Sequence, residues 1–113
     1  MKNIISMAKK WIINNDMFIS GNVGYHFELS KNHSTTRGGG YWHIDRENET
    51  LYLYSESSDY GRCSLQQVKD VIEKGALPLS LRVLRIVFSQ HRELEDAMQD
   101  YVVIKEKTSI EEH

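Results

Sequence analysis

The sequence predicts a single small α+β domain, a mixed or antiparallel sheet built around a central hairpin with helices packed on it. Three observations lead there. A chain of 113 residues suits one hydrophobic core and leaves no room for a second. Two alternating runs, Tyr41–Asp45 and Thr50–Tyr54, flank the polar segment Arg46-Glu47-Asn48-Glu49, which is the pattern of a hairpin with a short connection. Ser64, followed three residues later by Gln67, forms a capping box ahead of an apolar stripe of Leu65, Val68, Val71 and Ile72, the signature of an amphipathic helix.

The elements follow in chain order. Ile4, Met7, Ala8, Trp11 and Ile12 recur at helical spacing with Asn3, Lys9, Lys10 and Asn14 opposite, so the pattern predicts an N-terminal amphipathic helix stopped by Asn14-Asn15-Asp16. Gly21 to Gly24 reads as a turn. Val23, Tyr25, Phe27 and Leu29 then alternate with His26 and Glu28, which predicts a strand. The segment from Lys31 to Arg37 is polar and loop-like. In the hairpin, Trp42, Ile44, Leu51 and Leu53 share the buried face, while Tyr41, His43, Tyr52 and Tyr54 line the other. Ser55 to Arg62 is a polar loop, and Gly75 and Pro78 mark the end of the helix that Ser64 opens. Leu81 to Phe88 reads as a strand buried on both faces. Ser89 is expected to cap a last helix carrying Leu94, Ala97, Met98 and Tyr101, and Val102 to Ile104 a short final strand. The domain is thus expected over residues 1–104, with 105–113 a charged, frayed tail.

Several function classes recede on composition. A formal net charge of −2 does not suit nucleic acid as the partner. The single cysteine, Cys63, permits no internal disulfide and, without a signal-peptide pattern, favours a reducing, cytoplasmic setting. No apolar run approaches the roughly 20 residues that span a bilayer, so no membrane partner is expected. The five histidines include no i, i+4 pair and no cysteine at ligand spacing, so neither a metal nor another cofactor is expected. No Gly-Lys-Ser/Thr segment supplies a phosphate-binding P-loop. Cys63 has no His or Lys neighbour and reads as a packed small hydrophobe.

Three local features invite a functional reading. Gly38-Gly39-Gly40 opens a strand, suiting either a bulge or backbone that approaches another chain segment closely. The loop Ser55-Glu56-Ser57-Ser58-Asp59-Tyr60-Gly61 leads into the Ser64 helix, and turn amides with serine hydroxyls can hold an anion, although Glu56 and Asp59 oppose one unless they point away. His26 lies on the expected strand face opposite the apolar residues, where a lone histidine ordinarily serves as surface or hydrogen-bonded structure.

Taken together, GGGYWHIDRENETLYLYSESSDYG, from Gly38 to Gly61, resembles the centre of the phosphohistidine phosphatase (Janus/Ocnus) family. That family has a triple-glycine strand entry, a hairpin, an apolar-x-apolar-Tyr strand end and a Tyr-Ser-x-x-Tyr/Phe-Gly loop leading into a helix. Gly38–Gly40, Leu51, Leu53, Tyr54, Ser57, Tyr60 and Gly61 fit it without a gap. The resemblance implies a metal-independent phosphatase without cofactors, acting on a phosphorylated protein or a small phosphoramidate. It implies His26, in Gly24-Tyr25-His26-Phe27, as the catalytic histidine, and a phosphate cradle of Ser57, Ser58, Asp59 and Tyr60. The sequence departs from the family in three ways. Tyr41 stands where the family has an arginine after the glycines, and Arg37 or Arg62 is the candidate replacement for its charge. Only residues 27–37 separate His26 from Gly38, fewer than in the family. The family's phosphate-contacting lysine lies on an N-terminal strand, whereas Lys9 and Lys10 fall on the expected helix.

Those departures motivate a second expectation: a catalytically inactive accessory or inhibitory protein of the same fold that binds another protein. The Tyr41, His43, Tyr52 and Tyr54 face would be its contact surface. Base stacking of single-stranded nucleic acid on that face is a third reading, which the lack of positive charge disfavours.

Overall fold

A computed structural model describes residues 7–15, 17–30, 32–74 and 85–106. Six strands form one sheet: β1 (Ala8–Asn14), β2 (Met17–Val23), β3 (Thr36–Asp45), β4 (Thr50–Tyr54), β5 (Arg85–Phe88) and β6 (Val102–Glu106). Their spatial order is β2-β1-β3-β4-β5-β6. All neighbours are antiparallel except β4 and β5, which are parallel. A parallel pair needs a crossover, and helix α1 (Leu65–Glu73) lies on it. A single-turn helix, α2 (Leu94–Ala97), and two 3₁₀ turns, His26–Leu29 and His33–Thr35, complete the described elements. The class is α+β with a mixed sheet.

The hairpin forms in the expected register. Trp42 pairs with Leu53 and Ile44 with Leu51, while Tyr41 faces Tyr54 and His43 faces Tyr52. Leu51, Leu53, Ile86, Phe88, Ile104, Trp11, Ile13 and Phe18 pack against Val68, Val71 and Ile72 of α1 and against Cys63. Burying each large aliphatic side chain there contributes about 1.5–3 kcal/mol. The Ser64 capping box is present: its Oγ accepts from the Gln67 amide at 3.2 Å, and Gln67 Oε1 accepts from the Ser64 amide at 2.9 Å.

Four expectations are corrected. Residues 8–14 form a strand, not a helix. Trp11, Ile12 and Ile13 are all buried because β1 lies inside the sheet and is covered on both faces. A run buried on both faces loses its period of two and also fits a helical template. The stop signal is instead the start of a tight connection to β2, with Asn15 at φ 55°, a conformation that Asn tolerates.

The strand expected over Val23 to Leu29 lies earlier, over Met17–Val23, and Gly21 pairs with Lys10 inside it rather than turning. Residues 26–29 are a 3₁₀ turn because Glu28 folds back locally. Its carboxylate accepts from the Tyr25 amide at 2.7 Å, and its own amide reaches the Tyr25 carbonyl at 3.1 Å. Local capping wins over alternation here, and His26 therefore sits on a turn and not on a strand face.

Ser89 does not cap the last helix. Its hydroxyl accepts from the His91 amide at 3.1 Å, and the helix is only one turn, preceded by Glu93. Tyr101 is off that helix and meets Tyr52 edge-on at 5.8 Å. Finally, β6 runs to Glu106, so Lys105 and Glu106 belong to the sheet, where Glu106 pairs with Arg85 at 3.0 Å. Gly75, Pro78, the first half of the strand expected from Leu81, and residues 107–113 lie outside the described residues.

Candidate functional site

The glycine run lies within β3. A Cβ on Gly40 would sit 2.4 Å from the Tyr54 carbonyl oxygen and 3.0 Å from the Trp11 ring, so no larger residue fits without displacing backbone. The Gly40 carbonyl has a partner from outside the strands. That partner is His26, whose Nε2 lies 2.7 Å from it. A carbonyl only accepts, so Nε2 carries the hydrogen and donates. In the neutral ring, Nδ1 is then a lone pair, and it is buried without a hydrogen-bond partner. His26 is only 1% exposed. Burial lowers its pKa below 6.5; the Gly40 carbonyl opposes that shift, the Lys10 ammonium adds to it, and the Asp59 carboxylate opposes it. The ring is a neutral base at neutral pH, fixed in one tautomer.

Lys10 comes from β1. Its strand position directly opposite Tyr41 of β3 points it to the same face as Tyr41. It is 7% exposed, donates to the Gly24 carbonyl, and lies 5.6 Å from the centre of the Tyr41 ring. A buried ammonium needs such acceptors to offset desolvation. The Tyr41 ring meets His26 edge-on at 5.5 Å.

The loop after β4 closes on itself. Ser57 and Gly61 exchange backbone hydrogen bonds at 3.1 and 2.8 Å, with Gly61 at φ 79°. The Gly39 amide donates to the Gly61 carbonyl at 3.1 Å, fastening the loop to the glycine strand. Ser57, 2% exposed, accepts from the Asp59 and Tyr60 amides at 3.1 and 3.0 Å. Asp59 in turn reaches the His26 turn, accepting from the Phe27 amide at 3.0 Å. Tyr60 bonds to the His33 ring through its hydroxyl. Ser58 is exposed at the tip.

The candidate histidine and the candidate loop are thus brought to one corner. The loop's donors are engaged internally: two amides are taken by the Ser57 hydroxyl, and a carboxylate occupies the amide beside His26. The two arginines behave differently. Arg37 is exposed and makes no hydrogen bond or ion pair among the described residues. Arg62 pairs with Glu56 at 2.9 Å, and Arg92 joins the same carboxylate oxygen at 3.2 Å, holding the Glu56 carboxyl below its ordinary pKa. Cys63 is fully buried, and burial pushes its thiol up to about 12, which leaves it unreactive at neutral pH.

Sequence reasoning missed Lys10 and the Gly40 carbonyl as members of this corner. The signal for Lys10 is the Lys9-Lys10-Trp11-Ile12-Ile13 run before Asn14-Asn15, which fits a strand entering a hairpin as well as a helix. Nothing local marks the Gly40 carbonyl. Of the hairpin's polar face, Tyr52 is buried under Tyr101, while Tyr41 and Tyr54, with rings 6.0 Å apart, line a groove. Among the described residues, no three His, Cys, Asp or Glu side chains converge as metal ligands, and no helix is long and apolar enough to cross a membrane. No protein-family model, curated protein or solved structure matches this chain.

Proposed function

We propose that this protein is a cytoplasmic, metal-independent phosphatase acting on phosphohistidine or a related phosphoramidate. One observation carries the reading: His26 is held through Nε2–H by the Gly40 carbonyl, which leaves Nδ1 as a buried, unshared base. In the reaction, water first has to gain access to Nδ1, which is closed off in the structure, and then gives it a proton as its oxygen bonds to phosphorus. The P–N bond breaks, and the leaving nitrogen takes the proton from Nδ1, which returns His26 to its neutral form. Phosphoryl transfer asks for a positioned nucleophile and stabilised oxygens more than for covalent help. Lys10 supplies positive charge beside His26, and the loop of Ser57, Ser58, Asp59 and Tyr60 lies at the same corner, where a phosphoryl group has to displace the Ser57 hydroxyl to use the Asp59 and Tyr60 amides. The resemblance over Gly38–Gly61 supports the reading, and so does the strand conformation of the lysine-bearing N-terminal segment. A phosphoryl group has to displace the Asp59 carboxylate from the Phe27 amide to use that donor.

The internal occupation of the loop favours a second reading, a protein of this fold that binds another protein without catalysis. Hydrolysis of a phosphohistidine peptide in a chelator separates the two. Wild type is expected to turn over and His26→Ala to lose roughly 10²-fold or more in rate. A folded wild type that releases no phosphate sinks the phosphatase, and activity that survives in the variant removes His26 from the chemistry.

A further inference from the structure

A groove of about 410 Å³ opens beside the site, lined by Tyr41, Tyr54, Ser55, Arg92, Glu93 and Leu94. One of its lining residues, Tyr41, meets His26 edge-on at 5.5 Å, and the Tyr54 ring lies 6.0 Å from that of Tyr41, centre to centre. An extended peptide advances about 3.3–3.6 Å per residue, so these two steps span at most roughly three residues of substrate. The tyrosine rings are flat, amphipathic contact surface with little rotamer entropy to lose. Arg92 stands on the groove and is 74% exposed in its side chain. Its Nε is held by Glu56, which Arg62 also grips. The guanidinium is therefore oriented, and its two terminal nitrogens make no hydrogen bond among the described residues. That fork matches a carboxylate. Glu93 lines the same groove and repels acids, which restricts the favourable position for one to the Arg92 side.

We propose that this groove is a peptide subsite, which takes the chain two to three residues from the phosphorylated one and prefers an acidic side chain there. The substrate is then a phosphorylated protein segment rather than a free phosphoramidate. The proposal rests on the phosphatase reading. A small phosphoramidate fills the His26 corner and does not reach Arg92.

The test uses the full chain with three substrates: a phosphohistidine peptide with Asp at the second residue on both sides, the same peptide with Asn, and phosphoramidate. Arg92→Glu, at an exposed position, is expected to raise KM for the Asp peptide by about tenfold at unchanged kcat. Its kinetics on the Asn peptide and on phosphoramidate should stay within about twofold. Equal KM for the Asp peptide in both proteins overturns the subsite while the phosphatase stands. If wild type hydrolyses nothing, the phosphatase falls, and anisotropy with the unphosphorylated, fluorescently labelled Asp peptide decides the groove. Binding weakened about tenfold by Arg92→Glu supports it; no binding, or binding that ignores the variant, overturns it.

Discussion

The two faces of β1 are one residue apart in sequence and opposite in character. Trp11 and Ile13 turn toward α1, where Trp11 stacks on Phe18 at 5.5 Å within an apolar cluster. Lys10 turns the other way, toward Tyr41 and His26, and is almost as buried. The α1 face gains from the apolar groups it removes from water, although it also leaves Trp42 Nε1 buried without a hydrogen-bond partner. The opposite face buries an ammonium and an imidazole, each of which costs desolvation energy. A fold does not need such groups for stability, since apolar residues of similar size do as well or better. The difference teaches how each face is held: the α1 face by apolar packing, and the His26 face by the Gly24 and Gly40 carbonyls that offset the desolvation of Lys10 and His26.

Neighbouring substitutions break the comparison most sharply. Trp11→Ala should cost about 3–5 kcal/mol in chemical denaturation, as large core truncations do. Lys10→Met should leave the midpoint nearly unchanged or raise it, yet weaken inorganic phosphate binding in an NMR titration by roughly tenfold. A Lys10→Met protein that unfolds as readily as Trp11→Ala would mean both faces are structural.

A smaller effect sharpens the role of the carboxylate. Asp59→Asn keeps an acceptor for the Phe27 amide and removes the charge. Phosphate should bind several-fold more tightly, since a like charge leaves the site. Weaker binding in the same titration would show that Asp59 organises the corner rather than blocking it.

The smallest effect is a pH dependence. Burial holds the folded His26 below its ordinary pKa of 6.5, so between those two values the unfolded chain binds the extra proton. Stability is therefore fully present above pH 6.5 and is lost as pH falls through the lowered pKa. His26→Gln should flatten that part of the profile, and identical slopes for both proteins would assign the pH response to other groups. Glu56 and Asp45, whose carboxyls are also lowered, act at more acid pH.

The legible parts of the chain share a physical reason. The hairpin register and the α1 cap depend on residues within a few positions of each other. Alternation of Trp42, Ile44, Leu51 and Leu53 selects a face, and Ser64 with Gln67 selects a helix start. These the amino-acid sequence determines by itself, along with the α+β class. The N-terminal strand was not legible, because burial on both faces erases the period that would reveal it. The corner was legible only in part: the resemblance set His26 with the loop of Ser57 to Tyr60, but nothing local set Lys10 or the Gly40 carbonyl beside them. Lys10, His26, Gly40 and Asp59 come from four separate segments, and only β3 lying between β1 and β4 brings them together. That arrangement, and with it the tautomer of His26 and the engagement of the Ser57 loop, was decided by the tertiary structure, because burial and a carbonyl fourteen residues away in the chain set the chemistry of a histidine.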